Sequence, residues 1–557
     1  MTSSHLSYVC GTSDTPLIFT TIGRMFDATV SAFGERDAVT VCHQKIHWSY
    51  NQLKSQVDAC AAGMIALGLQ PGERIGIWSP NNIEWLITQF ATAKAGLILV
   101  NINPAYRGFE LEHALTVSGC SALILAETFK SSNYVEMVRE LAPEIDRCQI
   151  GNLKSKKLPD LRLVSVISEN SHNGFLNFSE FADHADDAST NVLQELATTL
   201  QPDDPINIQF TSGTTGAPKG ATLTHHNIIN NGYFVAKRQK FTEADKLCIP
   251  VPLYHCFGMV MGVLGCVTHG ASMVFPSEAF EPEATLKAVA AEKCTALYGV
   301  PTMFIAQLET SSFKSHDLSS LRTGAMAGSP CPIEVMKRVI NDMHMRDVTI
   351  AYGMTETSPV SFQCSPDDPL DKRVGTVGTI MPFVEVKIID SEGLTVGRSI
   401  QGELVTRGYS VMQGYWNDSA RTADAIDKAG WMHTGDLAVM DDEGYVSITG
   451  RSKDMIIRGG ENIYPREIEE FLYTHPAIAD AQVFGVPDDK LGEAVAVWIQ
   501  VKPDGALDLE SLRDFCKNKI AHYKIPAYIK VVDEFPMTIT GKIQKFIMRD
   551  TMIDEIG

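Results

Sequence analysis

The sequence has no C-x-x-C pair and no cysteine–histidine cluster at zinc spacing, although its 557 residues include 12 cysteines. Cys248, Cys266 and Cys294 stand in apolar runs, where a thiol behaves as a small hydrophobe. A zinc staple or disulfide framework is therefore not what organises the chain, and a reducing compartment is expected. Basic excess is lacking too: 47 Lys and Arg face 67 Asp and Glu, a formal net charge of −20. That balance argues against a nucleic-acid partner, whose phosphates want basic surface. It leaves room for a nucleotide ligand, which needs only local donors and a metal ion. The opening Met1–Cys10 lacks the basic and apolar regions of a secretory signal, and no arginine precedes Arg24, unlike a transit peptide. A cytoplasmic protein is expected. The longest apolar stretch, Gly258–Phe275, is broken by four glycines, Thr268 and His269, and is barely long enough to span a bilayer. It reads as a core helix followed by a strand, so no transmembrane segment is expected. Peripheral membrane contact stays open, as does the choice between monomer and homodimer.

No internal repeat and no low-complexity linker divides the chain. At about 150 residues per domain its length allows three or four folding units, and 44% hydrophobic residues are enough for several cores. Gln52–Leu67 reads as a helix, Gly68–Gly72 as a turn, Arg74–Trp78 as a strand and Ile83–Lys94 as a helix. Gly96–Val100 reads as a second strand, leading into the loop Asn101–Ala105. This rhythm, which returns over residues 200–360, predicts mostly parallel sheets faced by helices. From residue 372 the pattern turns antiparallel, with Val384–Ile389 and Glu403–Thr406 alternating between glycine turns. Beyond Gly450–Arg451 a compact tail begins, with Pro465 opening a helix that aligns Ile468, Phe471 and Leu472. Strand patterns surround residues 480–500 and 527–532.

The sharpest signal is Thr211-Ser212-Gly213-Thr214-Thr215-Gly216-Ala217-Pro218-Lys219-Gly220, following the strand-like Ile206–Phe210. Its glycines let backbone approach an anion, its hydroxyls and amides donate, and Lys219 adds charge. Gly220 follows the lysine, so this is not a Walker A loop. Further along stand Ala351–Glu356 (AYGMTE), Trp431–Leu437 (WMHTGDL), Gly450–Asp454 (GRSKD) and Thr540–Lys542 (TGK). A lone carboxylate such as Glu356 suits a divalent cation on phosphate oxygens, with Thr355 as a hydroxyl donor. Asp436 suits a ribose diol.

With these five motifs in order, the chain resembles the adenylate-forming superfamily of acyl-CoA synthetases, peptide-synthetase adenylation domains and beetle luciferases, over residues 20–549. The resemblance implies a large N-terminal domain, residues 1–451, of two stacked mostly parallel sheets with helices plus a small β-barrel-like subdomain. A small mobile α+β domain, residues 452–557, would carry the catalytic Lys542. It implies that Thr211 to Gly216 and Lys219 hold ATP phosphates, and that Gly328-Ser329-Pro330 and Tyr352 flank adenine. Asp436 and Arg451 would hold ribose, Glu356 would bind Mg²⁺, and Lys453 would be the hinge. Lys542 would bridge the acid's carboxylate and the α-phosphate, then swing away while Arg458, Gly459 and Gly460 line the tunnel for coenzyme A.

His255, Phe257, Gly258, Met259 and Gly353 are the acyl-pocket positions that the resemblance implies. From Pro252 to Pro276 there is no Asp or Glu, so an ammonium-bearing amino acid would be buried there without a partner at a cost of several kcal/mol. The aliphatic run after His255 suits an alkyl chain. Arg322–Pro332 in particular resembles medium-chain fatty-acyl-CoA synthetases. The expectation is therefore a fatty-acid–CoA ligase for medium chains, with long chains and then aryl acids ranked behind. A fatty-acyl-AMP ligase serving a carrier protein is the alternative. A catalytically silent relative should have lost Lys219, Glu356, Asp436 or Lys542, and all four are present.

Overall fold

The computed structural model describes residues 5–211, 218–451, 453–458, 461–488, 490–502, 505, 507–517, 519–538 and 541–556. Helix signals in the sequence fold as expected where a cap is present. Ser49 and Gln52 close a capping box on Tyr50–Ala66, and the Asn82 side chain accepts the Trp85 amide at 2.8 Å to start Ile83–Ala95. The latter helix ends on Gly96 at φ +70°, so the strand expected from Gly96 begins at Ile98 and takes in Asn101.

Eight strands form the first sheet, in the order Leu176–Asn177, Leu163–Ile167, Cys120–Ala126, Arg74–Trp78, Ile98–Asn101, Pro205–Thr211, Lys219–Thr224 and Gly414–Tyr415. The first six are parallel, and the last two add antiparallel. The second sheet has nine strands. Its parallel centre runs Asp347–Gly353, Thr323–Ala327, Ala296–Gly299, Lys246–Cys248, Ser272–Phe275 and Asp37–Val41. The Ile83–Ala95 helix packs on the Arg74–Trp78 and Ile98–Asn101 strands and on the Tyr50–Ala66 helix, and it buries every residue except Glu84. Even Lys94, 7% exposed, is kept inside by ion pairs to Asp27 and Asp58.

The expected helix in Gly258–Phe275 opens differently. Phe257–Leu264 is π-helical and only Gly265–His269 is α-helical before the Ser272–Phe275 strand. Backbones crowd here: a Cβ on Gly232 would lie 2.9 Å from the Val260 carbonyl, and one on Gly258 would lie 2.4 Å from that of Pro252. Apolarity marked the segment as buried but carries no signal for the hydrogen-bond offset.

A five-stranded antiparallel sheet occupies the place of the expected barrel-like subdomain. Its order is Tyr8–Cys10, Val384–Ile389, Gly402–Gly408, Met432–Met440 and Val446–Arg451. Beyond it lies a separate sheet of Glu461–Ile463, Ile456–Arg458, Gly492–Val501 and Ile478–Asp488, with Tyr528–Val531 parallel to Gly492–Val501. This C-terminal unit has its own apolar centres. One gathers Ile468, Leu472 and Val497, the other Phe484, Trp498 and Met548.

Candidate active site

Parallel strands deliver loops to one edge of a sheet, and both large sheets do so here. Pro205–Thr211 runs into the glycine-rich loop. Ser212, Gly213, Thr214, Thr215 and Gly216 lie outside the described residues, but both stems are in view, with Thr211 paired opposite Lys219. The Lys219 ammonium sits 4.8 Å from the centre of the Tyr415 ring. The Tyr415 hydroxyl donates to Glu356 Oε1 at 2.8 Å, and the Met412 amide donates to the Glu356 carbonyl at 2.9 Å. Tyr415 is a residue that sequence reasoning missed. Its signal was the aromatic pair Tyr415-Trp416 after Gly414, with nothing local to say what the pair faces.

Glu356 lies in the 3₁₀ turn Thr355–Thr357 just past the Asp347–Gly353 strand, and both Thr355 and Glu356 are buried. Gly353 must remain glycine, because a Cβ there would lie 1.8 Å from the Pro359 carbonyl. Tyr352, the residue before it, donates to Asp436 Oδ2 at 2.5 Å, and Arg451 Nε donates to Asp436 Oδ1 at 3.2 Å. Burial raises the Asp436 carboxyl above its ordinary range against the pull of Arg451. The Thr434-Gly435-Asp436 sequence by itself suggests a tight turn. It lies instead within the Met432–Met440 strand at a bulge, where Gly435 takes φ +70° and the pairing with Gly402–Gly408 shifts register. The bulge aims Asp436 at Tyr352 while the strand continues on either side.

The Leu253–Phe257 segment is tied down from the first sheet. Gln209 Oε1 accepts from the Cys256 amide at 3.1 Å, and Asn101 Nδ2 donates to the Tyr254 carbonyl at 2.9 Å. His255 Nδ1 accepts the Phe257 amide at 3.2 Å. Burial, with the charge of Lys542 second, pushes the His255 pKa down to about 3, so the imidazole is neutral. Phe257 faces Tyr298, with ring centroids 5.4 Å apart. Phe257, Gly258 and Met259 are buried.

Lys542, from the far end of the chain, joins this group. A Cβ on Gly328 would lie 3.9 Å from Lys542 Cε, which puts the ammonium stem beside the Gly328-Ser329-Pro330 loop. Its pKa is lowered first by burial and next by the positive charge of Arg451, while Glu356 and Asp436 pull it back up. The lysine leads a tight hairpin: Thr538 N donates to the Lys542 carbonyl at 2.8 Å, and Gln544 N to the Pro536 carbonyl at 2.8 Å. Gly541, at φ +76°, passes so close to the core that a Cβ would lie 2.8 Å from Val300 Cγ2.

Lys453 is exposed in the turn after Val446–Arg451. Arg458 is engaged inside the C-terminal unit, donating to the Tyr523 carbonyl at 2.8 Å. Gly459 and Gly460 lie outside the described residues. Among the described residues no cluster of three or more His, Cys, Asp or Glu side chains is placed to hold a metal ion. Glu356 fits a magnesium ion in the other way available, one carboxylate completed by phosphate and water oxygens. Among the described residues no helix is long and apolar enough to cross a membrane.

The chain has known relatives. Residues 26–416 match the AMP-binding enzyme model and residues 467–542 match the AMP-binding enzyme C-terminal domain. The chain is similar to the putative acyl-CoA synthetase YngI of Bacillus subtilis, 48% identical across 97% of this chain and 98% of that one. It is similar to the mitochondrial medium-chain acyl-CoA ligase ACSF2 of Mus musculus, 44% identical across 98% of this chain and 90% of that one. Among solved structures it resembles the anthranilate CoA ligase AuaEII in complex with anthranoyl-AMP. That match has a TM-score of 0.85 at 26% identity and covers 98% of this chain and 99% of the other.

Proposed function

The chain belongs to the AMP-binding enzyme family and is an AMP-forming acid–CoA ligase of the acyl-CoA synthetase type, and on that basis we propose its substrate, its residue roles and its moving part. The acid is a straight medium-chain fatty acid. Its carboxylate enters beside Lys542 and its chain runs along the buried Phe257–Met259 wall. A neutral His255 supports this reading, because the wall then offers an alkyl chain no charge and Lys542 is the cation that meets the carboxylate.

In the first step a carboxylate oxygen attacks the α-phosphorus of ATP and pyrophosphate leaves. Lys219 and the Thr211–Gly216 loop hold the phosphates, and Tyr352 with Gly328-Ser329-Pro330 encloses the adenine. Asp436 and Arg451 take the ribose. Glu356 would hold Mg²⁺, which would supply neutralising charge to the phosphate oxygens. Lys542 lies between two anions that must touch, and its stabilisation is largest as the new bond forms. In the second step the coenzyme A sulfur attacks the acyl carbonyl and AMP leaves. Residues 452–557 form the moving domain, turning about Lys453 to withdraw Lys542 and present Arg458, Gly459 and Gly460 to the thiol.

Cytoplasmic placement belongs to the same reading, supported by free cysteines throughout, nine of them buried. Relatives named mitochondrial do not conflict with it, because the compartment is set by targeting and not by the catalytic fold.

One observation carries the reading: Lys542, from a unit with its own core, is placed among His255, Glu356, Asp436 and Arg451. The test is a panel of acids from butanoate to octadecanoate with ATP, Mg²⁺ and coenzyme A, followed by AMP release and product mass. A peak among medium chains is expected. Formation of ADP, or faster turnover of aryl acids than of octanoate, overturns the assignment.

A further inference from the structure

The C-terminal unit meets the core at the beginnings of two helices. Pro301–Leu308 follows the strand Ala296–Gly299, Ile333–Asp342 follows Thr323–Ala327, and the two strands are parallel neighbours. Neither helix has a side-chain cap of its own, because the N-cap positions are Val300 and Pro332. At the first helix, Thr302 Oγ1 donates to the Gly541 carbonyl at 3.2 Å. At the second, the Ile333 amide donates to Glu470 Oε2 at 3.3 Å. A carbonyl oxygen and a carboxylate from the unit that carries Lys542 thus point at the positive ends of two helix dipoles.

We propose that Thr302 and Glu470 are positioning residues that latch the C-terminal unit in its adenylation pose. The proposal rests on the alternation of that unit described above. One contact grips the hairpin next to Lys542 itself. The other holds the Pro465–Tyr473 helix, on which Arg466 also donates to the Ile448 carbonyl at 3.1 Å. The latch is built to release. Burial works against the Glu470 carboxylate more than Arg466 favours it, and the Ile333 amide can take water in place of Glu470 once the unit turns away. With the Tyr464 hydroxyl at the start of that helix donating to Gln401 Oε1 at 2.5 Å, these contacts spread over the two elements orient the unit through single hydrogen bonds that water can replace.

The test measures the half-reactions separately on the full chain, as ATP–pyrophosphate exchange and as thioester formation from a supplied acyl-adenylate. Thr302→Val keeps the shape and removes the donor, and Glu470→Ala removes the cap. Each should lower exchange roughly three- to tenfold, the scale of one lost hydrogen bond, and leave the thioester step unchanged or faster. Thr302→Ser and Glu470→Gln, which keep a donor and an acceptor, should restore exchange to within about twofold. An equal fall in both steps would make the two residues structural and end the proposal, as would unchanged exchange in Thr302→Val and Glu470→Ala. Lys542→Ala run alongside separates the two readings. If it leaves exchange intact, the proposed function fails; if it abolishes exchange while the latch variants do nothing, only the latch does.

Discussion

Tyr352 and Asp436 come from different sheets, and the hydroxyl of one donates to the carboxylate of the other at 2.5 Å. The mostly parallel nine-stranded sheet and the antiparallel five-stranded sheet are joined through this bond, and the proposed function assigns the adenine to the first and the ribose to the second. Binding a nucleoside across the pair needs both sheets in register. Tyr352→Phe keeps the ring but leaves Asp436 short of one donor, so the Michaelis constant for ATP should rise several-fold, about 1 kcal/mol, with kcat less affected. A loss confined to kcat in steady-state assays would count against this role.

Lys542→Ala should depress pyrophosphate exchange by roughly 10² to 10³, the usual cost of removing one donor from developing charge. Thioester formation from a supplied adenylate should persist. Lys453→Pro should show the opposite pattern, since a fixed φ impedes rotation. Stopped assays of each half-reaction decide between this reading and a purely structural lysine.

The lowered pKa of Lys542 gives a pH dependence of definite sign. In the proposed function its cationic form meets the two anions, so adenylation should fail as pH rises through that pKa, at a lower pH than an ordinary lysine would allow. The alkaline limb of kcat/KM reports the free enzyme. In kcat, with polyanionic ATP bound beside the lysine, the limb should move upward. Arg451→Gln removes a neighbouring positive charge and should raise the kcat/KM limb. A limb that stays in place on that substitution assigns it to another group.

Tyr415→Phe should raise the Mg²⁺ concentration needed for half-maximal adenylation several-fold, because the hydroxyl that orients Glu356 Oε1 is lost. Titrating Mg²⁺ at saturating ATP reads this directly. Identical curves for the two proteins would remove Tyr415 from the metal argument.

For the acid, each added methylene buried should gain about 0.8 kcal/mol, close to fourfold in kcat/KM, until the pocket ends. A series of straight-chain acids should climb on that slope and then break. A flat series would mean that the alkyl chain lies in solvent and not along Phe257–Met259.

How much of this was legible depended on distance along the chain. The Arg74–Trp78 strand and the Tyr50–Ala66 helix are set by local periodicity and caps, and they stand within two residues of their expected bounds. The glycine-rich stems, Glu356, Asp436 and Lys542 were legible as motifs. The structure adds that the last three, with His255 and Arg451, share one electrostatic neighbourhood. Tyr415, Gln209, Thr302 and Glu470 were not legible. Each acts across tens to hundreds of residues, and a single sequence does not record which side chain ends beside which. The bulge at Gly435 escaped for a related reason, since an extra strand residue is defined by the opposing strand.

The short strand Tyr8–Cys10 has a consequence for biosynthesis. Its partner is Val384–Ile389, and the Tyr8 hydroxyl meets a Glu385 carboxylate 377 positions away. At roughly 5–20 residues per second, a ribosome takes about 20 to 75 seconds to deliver that partner. Throughout this interval Tyr8–Cys10 waits as an unpaired edge while the parallel strands of the two large sheets are made. The antiparallel sheet is thus the last part of the core to close, and the C-terminal unit, with apolar centres of its own, can fold afterwards on a finished surface. Slow translation between residues 300 and 390 should therefore favour capture of the Tyr8–Cys10 edge by other chains, and a chaperone that shields extended segments should matter most there.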